Sequence, residues 1–382
     1  MRTFLAPRVA LKRLEFPALY DPASDELYEL DEEAFRFLSA CASEEGCEAP
    51  GGEVLSHCLK EGILLPSPHR AQGRRPPLHA SGDPSLRYLE LQLTRRCNLR
   101  CGHCYLGAPS PEDLSVRTLR RVLDEFEEMQ GLRVILTGGE PLLHPDFQKI
   151  NELLPRYALR TVLLTNGVLP GKGVLRGLHV HELQVSLDGL HASHDALRGE
   201  GTFGKALGTI EEALRTGFHV SVSTMVHARN LGDFAEMEKL LRSLGVREWT
   251  VDVPAPEGRM RGNLDFELPP EVAGPYLAYG YGEGLHGGGR EGYACGLHLM
   301  SVTAGGLAAK CSFYAGRPAG HVEEGLRTCW ERIRPVRLKE LVCASCPEGD
   351  ACRGGCRYRA ALAGDPLGAD PPRCALHGRI IP

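Results

Sequence analysis

Between Tyr88 and Val253 the apolar residues recur in two alternating patterns. Short runs rich in Val, Leu and Ile occupy Tyr88–Thr94, Arg133–Thr137, Thr161–Thr165, Glu182–Leu187, His219–Val226 and Glu248–Val253. Their length and composition predict strands buried on both faces. The stretches between them carry apolar residues at helical spacing. "SVRTLRRVLDEFEEMQG" places Val116, Leu119, Val122, Leu123, Phe126 and Met129 on one face, with Ser115 as N-cap and Gly131 as the stop. "TFGKALGTIEEALRTG" and "NLGDFAEMEKLLRSLG" repeat the design, opened by Thr202 and Asn230 and closed by Gly217 and Gly245. Six strand–helix alternations predict an α/β fold: a parallel sheet with right-handed crossovers, curled into a partial, TIM-like (β/α)6 barrel.

Functional residues of such sheets gather at the carboxyl ends of the strands. The polar and glycine-rich stretches fall there: "TRRCNLRCGHC", "TGGEP", "TNG", "SLDG", "TMVHARN" and "PAPEGR" follow the six runs in turn. One face collects the unusual chemistry.

Two punctuated stretches break the pattern. "PSPHRAQGRRPPLHASGDPS" has no apolar period and reads as a linker, and "PPEVAGPYLAYGYGEGLHGGGREG" holds a short helix before a flexible, glycine-rich tail. The expected organisation is 1–68, a linker at 69–85, the barrel at 86–268, a connection at 269–289 and a last domain at 290–382. The first region reads as extended segments, a turn at "DPASD", the strand "ELYEL", a helix from Asp31 and a second helix "EVLSHCLKEG" running into "ILL". It is expected to join the barrel across a flexible linker.

Composition changes this picture at one point only. A formal charge of −5 offers no basic footprint for nucleic acid, and no stretch approaches membrane-spanning length. The start lacks an export signal, so a cytoplasmic protein is expected. Fourteen cysteines are then anomalous. In a reducing compartment clustered thiols are more often metal ligands than disulfides. Ten fall into two groups, Cys97 to Cys104 and Cys295 to Cys374. Cys41 and Cys58 sit at apolar helical spacings and are expected to pack as small hydrophobes. Cys47 and Cys329 fit no pattern.

Cys97-x3-Cys101-x2-Cys104 can converge on one metal centre. Zinc would want a fourth ligand, for which the adjacent His103 is awkwardly placed; a four-iron cluster on three thiolates keeps one iron open. The loop alone leaves a cluster, zinc and free thiols open. Taken with "GGEP" (Gly138–Pro141) after the second strand and "SLDG" (Ser186–Gly189) after the fourth, it resembles the signature of the radical S-adenosylmethionine (SAM) superfamily, strand by strand over 86–268. The resemblance implies a 4Fe–4S cluster on Cys97, Cys101 and Cys104. It implies SAM held by Gly138, Gly139, Glu140, Ser186 and Asp188, with Arg198 facing the SAM carboxylate. One-electron cleavage of SAM would give methionine and a 5′-deoxyadenosyl radical, which takes a hydrogen atom from substrate.

Seven further cysteines run Cys295-x10-Gly306-x4-Cys311, Cys343-x2-Cys346-x5-Cys352-x3-Cys356, then Cys374. C-x2-C pairs also suit a zinc knot, but the full spacing resembles the SPASM extension of radical SAM peptide maturases, which carries two auxiliary clusters. The resemblance assigns Cys343, Cys346, Cys352 and Cys374 to one. Cys295, Cys311 and Cys356 go to the other, with Cys329 or an open iron completing it, for three 4Fe–4S clusters in all. The N-terminal region resembles the winged-helix precursor-recognition element of the pyrroloquinoline-quinone pathway type, although the segment between its helices is shorter. Such an element adds an extended leader peptide to its sheet edge.

The function expected is radical modification of a ribosomally synthesised precursor peptide, by a cross-link such as a thioether or carbon–carbon bond. Electrons would come from a reducing partner such as flavodoxin or ferredoxin. The alternatives are a tetrapyrrole-modifying relative, a sulfatase-maturing relative, against which Ser312 stands where a catalytic acid belongs, and a zinc-stapled peptide-binding protein.

Overall fold

The computed structural model describes residues 2–48, 51–66, 78–168, 173–282 and 292–379. The chain begins with β1 (Arg2–Leu5) and a meander of β2 (Ala10–Arg13), β3 (Pro17–Asp21) and β4 (Glu26–Glu29). Next come α1 (Glu32–Cys41), β5 (Cys47–Glu48), α2 (Glu53–Lys60) and β6 (Leu64–Leu65). Asp31 starts α1 by accepting a hydrogen bond from the Ala34 N–H at 2.7 Å. The apolar face of α1, Phe35, Leu38 and Cys41, closes over Leu5, Leu11, Leu19, Cys58 and Leu64 as a small separate core. Cys41 and Cys58 thus pack as the apolar pattern predicted. β1 lies between β5 and β6, and the meander forms its own sheet, in which β4 is an outer strand.

This region is docked on the barrel, not merely tethered to it. Lys12 Nζ, fully buried, donates to the Gly131 carbonyl at 2.7 Å. Arg160 donates to the carbonyls of Pro22 and Ala23, Arg133 pairs with Asp25, and Leu132 packs among Leu14, Ala18 and Tyr20. The meander therefore covers the end of the barrel opposite the functional loops. The expectation of a flexible separation fails because buried charges can be held in place only by partners on the other side of the contact. Of the expected linker, 69–77 lies outside the described residues.

The barrel is built from β7 (Tyr88–Thr94), α3 (Val116–Glu128), β8 (Arg133–Gly138), α4 (Phe147–Leu153), β9 (Arg160–Thr165), β10 (Glu182–Ser186), α5 (His191–Arg198), α6 (Thr202–Arg215), β11 (His219–Met225), α7 (Phe234–Leu244) and β12 (Glu248–Asp252). β7 to β12 pair side by side, all parallel, in sequence order, as six right-handed units require. The Val, Leu and Ile of these strands meet the apolar faces of the helices in one core.

The first strands of the last part of the chain extend the barrel sheet. After α8 (Pro270–Ala273) and a 3-10 turn, β13 (Leu299–Val302) runs parallel to β7, pairing Leu299 with Tyr88 and Val302 with Leu91. β14 (Leu307–Ala309) and β15 (Gly320–His321) continue outward, giving nine strands in one sheet among the described residues. Without them the first barrel strand would be a bare edge. α9 (Leu326–Glu331), α10 (Gly349–Cys352), α11 (Arg357–Leu362) and α12 (Pro371–Leu376) follow. The predicted short helix of the 269–289 connection is α8, and it is packed: a Cβ on Gly274 would stand 2.5 Å from Ala375 and from the Pro372 carbonyl. Residues 283–291, the predicted tail, lie outside the described residues.

Candidate active site

The loop after β7 brings Cys97, Cys101 and Cys104 to the wall of a cavity of about 300 Å³ at the carboxyl ends of the strands. Backbone bonds hold it there. The Leu99 N–H donates to Cys97 Sγ at 3.4 Å, the Gly102 N–H to Leu197 O at 2.8 Å, and the Arg259 N–H to Cys104 O at 2.9 Å. Burial pushes the Cys97 thiol up to about 11 and raises Cys101 as well. His103 lines the same cavity, but burial lowers its imidazole to about 4, so it is neutral at pH 7.

Gly138 and Gly139 also line the cavity, and the reason they are glycines lies behind them. The Gly139 N–H donates to Thr94 O at 2.8 Å and the Glu140 N–H to Arg96 O at 2.7 Å, so the two loops stay paired beyond the strands. A Cβ on Gly138 would fall 2.4 Å from Thr94 O, and one on Gly139 2.3 Å from Arg96 O.

Glu140 is buried and is not among the cavity-lining residues. Its oxygens accept from Thr165 Oγ1 at 3.0 and 3.1 Å and from the Asn166 N–H at 2.9 Å. Burial raises its carboxyl to about 7 against those bonds. It ties the end of β8 to the end of β9. Asp188 is likewise fully buried: it accepts from the Met225 N–H at 2.7 Å and forms an ion pair with Arg198. Burial alone would raise its carboxyl, but Arg198 holds it well below the usual range. Ser186 and Arg198 face the cavity, Arg198 with Nη1 4.0 Å from Cys101 Sγ. Arg198 is therefore a partnered, largely buried cation at the cavity and not a solvated charge flanking its helix.

Glu90, Gln184, Ser223 and Met225 complete this wall and were missed from the sequence. The signal was present. In "YLELQLT", "ELQVS" and "HVSVSTM" a polar residue or methionine recurs at every second position, as strands with one face on a ligand cavity require.

A second cavity, of about 370 Å³, is lined by Cys295, Cys311 and Cys356. Burial and then the Glu90 carboxylate push the Cys311 thiol up to about 12, with smaller contributions from Cys356 and Cys295. Arg357 lines it too, almost fully buried, with Nε and Nη2 lacking any hydrogen-bond partner. Three thiols beside an unsatisfied guanidinium fit an anionic, polynuclear group. Among the described residues no group of three His, Cys, Asp or Glu side chains is drawn together around a single metal ion. Cys329 is not at this cavity: it is buried in the main core and donates to His321 O at 3.4 Å. Cys343, Cys346, Cys352 and Cys374 come together at the end of the chain. Burial, then the Cys352, Cys343 and Cys346 thiols, push Cys374 up to about 11.

Three cysteines at one cavity, at the carboxyl end of a six-stranded parallel barrel, with a glycine pair and a buried arginine opposite, fix the comparison. Residues 91–241 match the Radical SAM superfamily. The chain contains a radical SAM domain at these residues. It is an enzyme whose chemistry is the reductive cleavage of SAM at a 4Fe–4S cluster.

Among relatives, it is 29% identical over 322 residues to the mycofactocin maturase MftC of Mycobacterium ulcerans, covering 75% of this chain and 87% of that one. It is 33% identical over 186 residues to the AdoMet-dependent heme synthase of Oleidesulfovibrio alaskensis, covering 47% of this chain and 48% of that one. In fold it is similar to Streptococcus suis SuiB bound to the precursor peptide SuiA. The TM-score is 0.69 at 15% identity, covering 97% of this chain and 99% of that one. The radical SAM domain is thus embedded in an architecture shared from end to end with SuiB. No described helix is long and apolar enough to cross a membrane.

Proposed function

We propose that this radical SAM enzyme modifies a ribosomally synthesised precursor peptide. The observation that carries the reading is the pair of cysteine-lined cavities sharing the wall Glu90–Ser312–Phe313, one of them holding the radical SAM loop. A substrate residue placed at that wall would lie between both thiol sets.

When bound, the Cys97/Cys101/Cys104 cluster and SAM supply a 5′-deoxyadenosyl radical. Around it, Gly138 and Gly139 offer open backbone for the methionine end of SAM, and Arg198, aimed by Asp188, supplies the cation for its carboxylate. Ser186 offers a hydroxyl to the ribose. Glu140 acts one layer out, fixing the Gly138–Gly139 loop against Thr165 and Asn166. Buried walls keep water from the reacting atoms. Cys295, Cys311 and Cys356 are assigned to one auxiliary 4Fe–4S cluster and Cys343, Cys346, Cys352 and Cys374 to the other. The outer strand β4 offers its free edge to an extended leader. A flavodoxin- or ferredoxin-like partner would supply electrons. The relationship to MftC and the shared fold with SuiB, a protein that binds a precursor peptide, support the peptide substrate. Heme synthase matches extend over 47% to 75% of this chain, so the coverage alone does not separate the two substrate classes.

The test is anaerobic reconstitution followed by incubation with reductant, SAM and a short peptide encoded beside the gene. Iron near twelve per chain, 5′-deoxyadenosine even without peptide, and a mass change in the peptide are expected. About four irons per chain would remove the auxiliary assignments. An unmodified peptide with normal SAM cleavage would remove the peptide reading.

A further inference from the structure

The N-terminal region has sulfur chemistry of its own, apart from the clustered cysteines. Cys41 is the last residue of α1 and Cys47 the first of β5. Between them the chain reverses in one turn: the Gly46 N–H donates to Ser43 O at 3.1 Å, and Gly46 takes a left-handed φ of +62°. A Cβ there would fall 2.6 Å from the Phe4 ring and 2.7 Å from Thr3 O, so only glycine makes this reversal. β5 then runs antiparallel to β1, with Cys47 opposite Thr3. The Thr3 hydroxyl donates to Cys47 O at 3.4 Å and lies 3.6 Å from Cys41 Sγ.

This backbone leaves the two sulfur atoms 2.9 Å apart, both as free thiols. A small side-chain adjustment would close that separation to the ~2.0 Å of a disulfide. The two thiols differ in access, Cys41 being buried and Cys47 half-buried. Burial, then the Cys47 sulfur, push the Cys41 thiol up to about 12. The reduced pair therefore gains nothing from a stabilised thiolate at Cys41, which favours the oxidised form. Cys58 lies in the same small core and is the competing partner.

We propose that Cys41 and Cys47 are a reversible thiol–disulfide pair whose closure fastens the end of α1 to β5. The oxidant is a low-molecular-weight disulfide such as glutathione disulfide. Cys47, the more accessible thiol, loses its proton and attacks one sulfur of that disulfide, releasing one small thiol and leaving a mixed disulfide. Cys41 then loses its proton and attacks the Cys47 sulfur, releasing the second small thiol. The protein gives up two electrons and two protons, and one small disulfide becomes two thiols. In a reducing compartment the pair stands open and closes as the thiol poise turns oxidising. The site is independent of the peptide reading above.

Peptide mapping of the full-length protein tests this. The protein is equilibrated anaerobically with a roughly tenfold excess of glutathione disulfide over glutathione, alkylated and digested without reductant. Cleavage after Arg36 and Lys60 releases one segment with Cys41, Cys47 and Cys58; further cleavage after Glu45 and Glu53 parts all three. A disulfide joining the Cys41 and Cys47 fragments in more than half of the protein is expected, reopened by excess glutathione. The oxidised protein should also melt at a higher temperature than the reduced one, by more than Cys47→Ser does between the same two conditions. Cys41 and Cys47 both alkylated under the oxidising poise, or Cys41 joined to Cys58, overturns the proposal. No greater rise in melting temperature than in Cys47→Ser overturns the fastening role. Should Cys47→Ser not fold, the mapping of the unaltered protein decides alone.

Discussion

Glu15 and Arg87 form an ion pair 2.7 Å long with side chains 2% and 4% exposed, joining the N-terminal meander to the residue before the first barrel strand. Ser85 completes it, donating to Glu15 through its N–H at 2.7 Å and its hydroxyl at 3.0 Å. Arg87→Met leaves a buried carboxylate unpaired and is expected to cost about 3–5 kcal/mol, recovered in part by adding Glu15→Gln. Urea melts of the three variants measure this. Deleting residues 1–68 strips the same partners, along with those of Arg133, Arg160 and Leu132. The truncated chain is expected to lose SAM cleavage together with peptide processing. Wild-type SAM cleavage after truncation would show the docking to be dispensable.

The same pair sets an acid limit. Burial by itself would raise the Glu15 carboxyl, but the Ser85 and Arg87 bonds outweigh it and hold it at about 2, below the ordinary 4.5. A folded value below the unfolded one stabilises above about pH 4.5 and loses that stabilisation as pH falls toward 2. Melting temperature should therefore drop more steeply on acidification in the wild type than in Glu15→Gln, the two curves converging at low pH. Parallel curves would deny Glu15 this role.

Asp188 carries no open surface, yet its charge holds Arg198 at the cavity. Asp188→Asn leaves the guanidinium buried without its counter-ion. A stability loss of about 3–5 kcal/mol is expected, with SAM affinity reduced roughly tenfold, the equivalent of one charge-assisted hydrogen bond. Isothermal titration checks the affinity. Unchanged binding would place Arg198 outside the SAM site.

Gly139→Ala puts a methyl group 2.3 Å from the Arg96 carbonyl, a backbone atom that cannot swing aside. The variant should spread the Cys97 loop from β8 and fail to load the first cluster while leaving the proposed auxiliary clusters in place. Iron analysis would then fall by about four per chain. Full iron content would mean the loop yields at little cost.

Much of the barrel was legible in the chain because its causes are local. Six runs of the right length, separated by amphipathic stretches, can form only a parallel sheet with crossovers, and Tyr88–Thr94 even keeps its predicted bounds. The helix starts were read less well. α6 is entered from Gly201, not Thr202, and Asn230 leads into a 3-10 turn (Leu231–Asp233) before α7 at Phe234, its side chain donating to Asp188 O and Met225 O and not capping the helix. A capping residue with a better tertiary partner leaves its helix.

By itself, then, the sequence determined the strand order, the face that carries the chemistry and the grouping of cysteines, since spacing along a short loop limits where thiols can go. Tertiary structure alone decided which polar residue faces ligand and which faces protein. Glu140 and Asp188 sit in motifs on the functional face, yet their oxygens are filled by Thr165, Asn166, Met225 and Arg198, and Glu90, in no motif, has open surface on two cavities. It also decided that β13 covers the edge of β7 and that the N-terminal meander seals the barrel floor. These are contacts between segments far apart in the chain, and the direction of a side chain depends on what another segment brings to meet it.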